Sequence, residues 1–233
     1  MPKLKIDLHV HTNFSDSLSS LEQVLKAATQ RQLDGIALTD HATVTTSFST
    51  AELDTNLILL PGVEVETLDG HLLVLGLPTP PPNHLSAADT LHFARDAGGL
   101  TIIPHPGIPF ISIRETLIRQ CRPDALETHN AKTPFFNYFV EKNTRLADRL
   151  GLPKTGGSDA HSHQSVGDAY TIIDADSRRI DDIFEAIRTG RTHPHGHASN
   201  LLENIKTTTQ VFWRNHHLNQ SPRPSDPTGA ERP

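Results

Sequence analysis

The segment IDLHVHTNFSD, residues 6–16, alternates Ile6, Leu8 and Val10 with Asp7, His9 and His11, and Asp16 follows closely. Strand side chains change faces with a period of two, so the pattern predicts one apolar face and one face carrying a carboxylate and two imidazoles. Similar groups recur where other apolar runs begin or end: Asp40 and His41 in ALTDH, Glu64 and Glu66 in GVEVE, His71 before LLVLGL, His105 after TIIP, Glu127 and His129 in LETH, and Asp159 and His161 in GSDAH. Neutral imidazoles and carboxylates are ligands for Zn²⁺, Mn²⁺ or Fe. The set holds about twice the ligands that a closed structural zinc site takes, which points to more than one metal with positions left for water and substrate. Taken singly, each fragment has a plainer explanation, since Ser and Asp are common in loops and a Pro-His-Pro run makes a turn. Charged groups on the inward faces of several barrel strands have no inexpensive structural role.

The elements that must position these groups alternate between strand and helix patterns. LKIDLHV is followed by SLEQVLKAATQRQ, whose Leu21, Val24, Leu25 and Ala28 fall at helical spacing, with Ser19 or Ser20 as its cap. GIALTD reads as a strand and STAELDTN as a helical turn. LILLPGVEVET and GHLLVLGL read as a hairpin turning at Asp69-Gly70. Then come the helix SAADTLHFARDAGG, ended by glycine, the strand LTIIPHPG, the helix IRETLIRQ and the strand DALETH. A longer helix, PFFNYFVEKNTRLADRLG, starts at Pro134 and ends at Gly151. KTGGSDAH is a strand end with its loop, and AYTIIDA and RRIDDIFEAIRTG give the last strand and helix. Roughly seven such units predict a parallel-rich barrel or a doubly wound sheet. Barrel enzymes carry their catalytic groups at the carboxyl ends of the strands, so residues far apart in the chain would meet at one mouth. The expected organisation is a barrel over residues 1–199, an extension of helical character over 200–214, and a polar, proline-rich disordered tail over 215–233.

The totals narrow the function. A formal charge of -6 over 233 residues argues against a general nucleic-acid coat. Cys121 is the only cysteine, which rules out an intrachain disulfide and fits a reducing compartment. The first apolar run is too short for a signal peptide and no stretch is long enough to span a bilayer, so a cytoplasmic protein without a membrane partner is expected. Histidine is the unusual total, at 15 residues.

Taken in order, DLHVHTNFSD, ALTDHATV, GVEVET, GHLLVLG, IPHPG, LETHN and GSDAHS resemble the PHP (polymerase and histidinol phosphatase) family from residue 4 to about residue 192, in its small stand-alone form. The resemblance implies an α/β fold, a distorted (β/α)7 TIM-like barrel, with two to three divalent metal ions (Mn, Zn or Fe). It also implies hydrolysis of a phosphate ester by a metal-activated water, the substrate being a nucleotide, a short oligonucleotide or a small phosphorylated metabolite. Carried over motif by motif, His9, His11, Glu64 and Asp159 would hold a first metal. Glu64 would bridge to a second, also held by His71 and His105, and Asp16, His41 and His161 would hold a third. His163 and His129 are candidates for protonating the leaving group. His129 and Asn130 fall at a position that varies within the family. Asp7 and Asp40 are candidates for orienting ligand imidazoles, and Glu66 and Glu127 for the same task or for accepting backbone donors. Arg191 and the loop THPHGH, with His193, His195 and His197, are candidates for a phosphate grip or an incidental surface metal site. An aromatic content of 5% offers little for base stacking. The motifs carry no signal for oligomeric state. Two rival readings are a non-catalytic metal-binding scaffold and an amidohydrolase-like hydrolase. Amidohydrolase barrels also begin with a His-x-His strand, but they usually carry a lysine at a mid-barrel strand end, where this sequence shows none.

Overall fold

The computed structural model describes residues 2–41, 43–44, 55–82 and 84–218. In chain order they form β1 (Lys3–Val10), α1 (Leu21–Gln30), β2 (Gly35–Leu38), β3 (Ile58–Thr67), β4 (Gly70–Leu75), α2 (Ala87–Asp96), β5 (Leu100–Ile103), α3 (Glu115–Cys121), β6 (Ala125–Asn130), α4 (Phe136–Leu150), β7 (Lys154–Gly157), β8 (Ala169–Asp174), α5 (Ile180–Arg188), β9 (Thr192–Gly196) and α6 (Leu201–Leu218). The strands make one sheet in the order β7-β6-β5-β4-β3-β2-β1-β8-β9. β1, β2 and β3 are parallel, as are β5, β6 and β7. β4 runs against both neighbours, and against β3 because Thr67 pairs with Gly70 and the tight turn between them leaves no room for a crossover helix.

The sheet curls into a nearly closed, barrel-shaped wall. Beyond β7, Ala160 bridges to Val10, the His11 amide donates to the Ala160 carbonyl at 3.0 Å, and the Asp159 amide donates to the His9 carbonyl at 2.8 Å. β8 and β9 add an antiparallel pair along the edge of β1 that faces away from β2. The segment THPHGH, expected as a loop, is therefore largely strand: His193 pairs with Ile172 and His195 with Tyr170. α6 runs through Leu218, so residues 215–218 are helical and not part of a tail. Residues 219–233 and most of STAELDTN lie outside the described residues.

Local chemistry explains the element ends. Ser20 caps α1 in a reciprocal capping box with Gln23, and the helix buries Leu21, Val24, Leu25 and Ala28, as their spacing predicts. Gly151 ends α4 at φ 65°, a left-handed conformation that glycine adopts without a steric penalty.

Two apolar layers follow from the pleat. Leu4, Ile6, Leu8, Ala37, Leu60, Leu73, Leu75, Leu100, Ile102 and Ala125 pack together inside the wall, closed at the amino end of the parallel strands by Ile183, Phe184 and Ile187 of α5. Outside it, Ile36 and Leu38 pack on α1, while Val63, Val65, Leu72 and Val74 pack with residues of α2 and α3. Pairing slips register at two places, between Asp7 and Val10 on β1 and between Glu127 and His129 on β6. The slip on β1 has a visible result: Ile6 and Leu8 belong to the inner cluster, whereas Val10 packs outside with α1. Strict alternation, which placed Asp7, His9 and His11 on one face, does not hold across this bulge.

Candidate metal centre

At the carboxyl end of the parallel strands, the inside of the wall changes from aliphatic to imidazole-lined. β4 shows the change along one strand: Leu75 and Leu73 belong to the inner apolar cluster, and His71, on the same face, meets Glu64 of β3. β1 supplies His9, and His11 follows it directly, both fully buried. His41 follows β2 and bridges to Glu64, His105 follows β5, Asp159 and His161 follow β7, and Asp16 comes from the loop before α1.

Glu64 lies at the centre. Its Oε2 is 3.3 Å from His9 Nε2, 3.2 Å from His11 Nε2 and 3.5 Å from His41 Nε2. Its Oε1 is 2.9 Å from His71 Nδ1 and 3.0 Å from His105 Nε2. Asp16 stands on the far side of His11, at 3.3 Å from its Nδ1, 2.9 Å from His161 Nε2 and 3.8 Å from His41 Nε2. Three groups of ligand atoms each lie within 4.8 Å of one another: His11, Asp16, His41 and His161; His9, His11 and Glu64; and Glu64, His71 and His105. This grouping departs from the layout implied by the motifs in two ways. His11 also reaches the Asp16 group, and Asp159 belongs to none of the three, its Oδ1 lying 3.8 Å and 3.7 Å from Nε2 of His9 and His11.

The residues fit divalent metal ions. His9 Nε2 and His11 Nε2 oppose each other at 3.2 Å against the same carboxylate oxygen. His105 Nδ1 is buried with no hydrogen-bond partner among the described residues. Opposed imidazole nitrogens around shared carboxylates are the donor set that such cations take.

A ring of supporting groups fixes the ligands. Glu127 Oε1 lies 3.1 Å from His9 Nδ1, and its Oε2 accepts from the His105 amide at 2.8 Å and from Asn130 Nδ2 at 2.9 Å. Asn130 also donates to Asp159 Oδ2 at 3.2 Å, which gives this residue a role the motifs left open. Gly157 is required here, because a Cβ would fall 2.5 Å from His9 Cβ and 2.8 Å from Glu127 Oε1. Asp7 and Asp40 hold backbone and hydroxyl groups and not imidazoles. Asp7 accepts from the amides of His9, Ser158 and Gly167, and Asp40 accepts from Thr12 and Ser15, which fixes the loop carrying Asp16. Glu66 is largely exposed, with Oε1 3.8 Å from His41 Nδ1.

The electrostatics follow from crowding these charges away from water. Burial works against an imidazolium at His9, but Asp159, Glu64 and Glu127 outweigh it and hold the pKa well above the usual histidine range. His11 is pushed up to about 9, burial being overcome by Asp16 and Glu64. Burial would raise Glu64, yet His9, His105, His11 and His71 hold it well below the carboxylate range. His161 is pushed down to about 4 by burial and the Lys132 ammonium. Such a cluster takes up cations readily and gives up protons as it does so.

Four expected participants stand apart. The slip on β6 separates His129 from Glu127: its Nδ1 lies 2.9 Å from Thr128 Oγ1, its ring meets Phe136, and burial with nearby His195 pushes its pKa down to about 4. His163 Nδ1 lies 3.0 Å from Ser19 Oγ, which ties the ring to the loop before α1. Arg191 pairs with Asp176 at the opposite end of the barrel, where Lys3 pairs with Asp174. His195 is exposed and stacks on Tyr170. One residue was missed. Lys132, just past the end of β6, brings Nζ to 2.9 Å and 3.1 Å from the two ring nitrogens of His161 and 3.6 Å from Asp159 Oδ1. A lysine does therefore stand at a strand end, and its only sequence signal was its place directly after LETHN.

Several known proteins are similar to this chain. The PHP domain family matches residues 7–117 and the PHP-associated family matches residues 140–192. An uncharacterized protein of Methanocaldococcus jannaschii is 30% identical over 141 residues, covering 55% of this chain and 82% of that protein. A phosphoribosyl 1,2-cyclic phosphate 1,2-diphosphodiesterase of Eggerthella lenta is 37% identical over 79 residues, covering 30% of each protein. Among solved structures, PsfC from Pseudomonas syringae superposes with a TM-score of 0.67 at 18% identity, covering 94% of this chain and 100% of that one. A two-domain protein from Bacteroides vulgatus, containing a predicted PHP-like metal-dependent phosphoesterase, gives 0.65 at 20% identity, covering 90% and 70%. Every clustered ligand from His9 to His161 lies inside one of the two matched segments, and the chain belongs to the PHP family.

Proposed function

We propose that the chain hydrolyses a phosphate monoester of a nucleotide or small metabolite, with two to three divalent metal ions held by His9, His11, Asp16, His41, Glu64, His71, His105, Asp159 and His161. The observation that carries this reading is the split of Glu64: one oxygen faces His9, His11 and His41, and the other faces His71 and His105. A carboxylate so placed would hold divalent ions on both of its sides, and such ions would supply the charge that metal-assisted phosphoester hydrolysis uses. When bound, such ions lower the pKa of a water toward neutrality and draw charge from the phosphoryl oxygens. In the reaction the water oxygen bonds to phosphorus, the bond from phosphorus to the alcohol oxygen breaks, and that oxygen leaves with a proton.

The chain's own residues do the positioning. Glu127 fixes the ring of His9 and, by accepting from the His105 amide, the backbone at His105. Asn130 steadies Asp159. Lys132 adds a fixed positive charge at the rim, where a phosphate dianion arrives. Similarity to the diphosphodiesterase of Eggerthella lenta and to a lesion-specific endonuclease of Pyrococcus furiosus supports phosphoester chemistry. Lys132 also removes the ground on which the sequence set the amidohydrolase-like reading aside, yet the position between the histidine groups is filled by Glu64. Release of phosphate from p-nitrophenyl phosphate, tested with Mn²⁺, Zn²⁺ and Mg²⁺ beside matched carboxylic esters, decides between them. Ester cleavage without phosphate release overturns the phosphoesterase reading.

A further inference from the structure

We propose that the apolar cleft beside the histidine cage seats the leaving group of the substrate, and that this group carries a flat aromatic ring. The proposal rests on the phosphoesterase reading and names the class of alcohol it acts on. The cleft encloses about 1140 Å³ between the β6–α4 loop, the end of β9 and the first turns of α6. Phe135, Phe136 and Tyr138 line one side, and Leu201 and Ile205 the other. Although large and apolar, Phe135 is 83% exposed, Tyr138 60%, Leu201 68% and Ile205 55%. Scattered exposed apolar residues are ordinary, whereas a group converging on one cavity marks a binding surface. The chain is poor in aromatics, yet three of them fall within residues 135–138 at this wall. Aromatic and aliphatic side chains lining one cleft suit an apolar, planar group.

The cleft adjoins the cage through Lys132 and Thr133. Lys132 is part of its lining, while its Nζ touches His161 and Asp159 of the cage. Thr133, also in the lining, donates through its amide and its hydroxyl to Asn130 Oδ1, and Asn130 holds Asp159. A phosphoester whose phosphoryl group lies at the cage thus has an apolar space adjoining it for the alcohol. The volume far exceeds what a bare phosphate fills and matches a ligand-sized site. The cage ligands all lie within residues 7–117 and 140–192, the segments matched by the family, whereas the lining residues 131–138 and 196–209 all lie outside them. The reacting groups lie within the segments matched by the family, and the cleft lies beside them, where substrate choice would be set.

The test is equilibrium binding by the full-length, metal-loaded protein of two non-hydrolysable probes, 1-naphthylmethylphosphonate and propylphosphonate. The naphthyl probe is expected to bind about tenfold tighter or better, as stacking on aromatic side chains allows. Tyr138→Ala and Ile205→Asp, both at exposed positions, are each expected to remove most of that difference without altering the melting curve. An adenosine-bearing phosphonate run alongside tells a nucleoside from another aryl alcohol: tighter binding than the naphthyl probe points to a nucleoside, and weaker binding to another aryl alcohol. Equal binding of the naphthyl and propyl probes, or a preference that survives both substitutions, overturns the subsite and leaves the phosphoesterase reading standing. Failure of every phosphonate to bind overturns both.

Discussion

The cage and the cleft occupy the same end of the barrel and share Lys132, but they are built by different means. The cage hangs on strand ends and the residues just past them. Its central imidazoles, His9 and His11, are fully buried, and its pivot Glu64 is nearly so. Each is held by a neighbour that is itself held, as Glu127 holds His9 and Asn130 holds Glu127. The cleft is made from the β6–α4 loop with the first turn of α4, the end of β9 and α6, and most of its large apolar side chains stand in solvent. The sheet thus gives the chemistry a rigid base, while the additions at its rim carry selectivity and tolerate change.

Substitutions in the two regions should therefore behave differently. The largest effect is expected for Glu64→Gln, which removes the charge shared by both histidine groups. Phosphate release should fall by more than about a hundredfold and metal content should drop, because ligand loss exceeds the effect of losing an outer partner. Steady-state kinetics with elemental analysis check this, and near-normal turnover would count against the central role of Glu64. A smaller effect is expected for Glu127→Gln. It leaves the ligands in place but loosens His9, so metal affinity measured by competition with a chelator should weaken by about 10- to 100-fold. If cage and cleft are separable, this variant should keep the naphthyl preference of whatever metal-loaded protein remains.

The smallest effect is expected at His129, which belongs to neither region. Burial and His195 push its pKa down to about 4 from an ordinary 6.5, against the pull of Glu127. Protonation then favours the unfolded chain. The stability this group contributes is full above pH 6.5 and is lost as the pH falls toward 4. His129→Gln should flatten the melting-temperature profile across that window with little change in turnover. A large loss of turnover with an unchanged profile would restore His129 as a reacting group.

Most of the cage was legible because ligand chemistry is legible. Histidines and carboxylates at the ends of short apolar runs have few other reasons to recur, and the hairpin that presents His71 carried its own Asp-Gly turn signal. What escaped the sequence was fine register. A period of two puts Glu127 and His129 together, but a one-residue slip separates them, and nothing local announces a bulge. β9 was hidden because THPHGH has neither β-branched alternation nor an apolar face, and it is a strand through its pairing with β8. Lys132 was hidden for a further reason. A lysine in a polar loop is ordinarily a solvated surface residue, and only the return of the chain past β7 sets His161 beside it.

Locating metal ions by anomalous scattering from crystals of the Mn²⁺-loaded protein would bear on the cage more squarely than any kinetic assay. The peaks should fall on either side of the Glu64 carboxylate, one within the His9–His11 group and one within the His71–His105 group, with a further peak beside Asp16 in a fully loaded crystal. Density confined to surface histidines such as His193 and His195, with the region around Glu64 empty, would contradict the assignment of these strand ends as a metal centre.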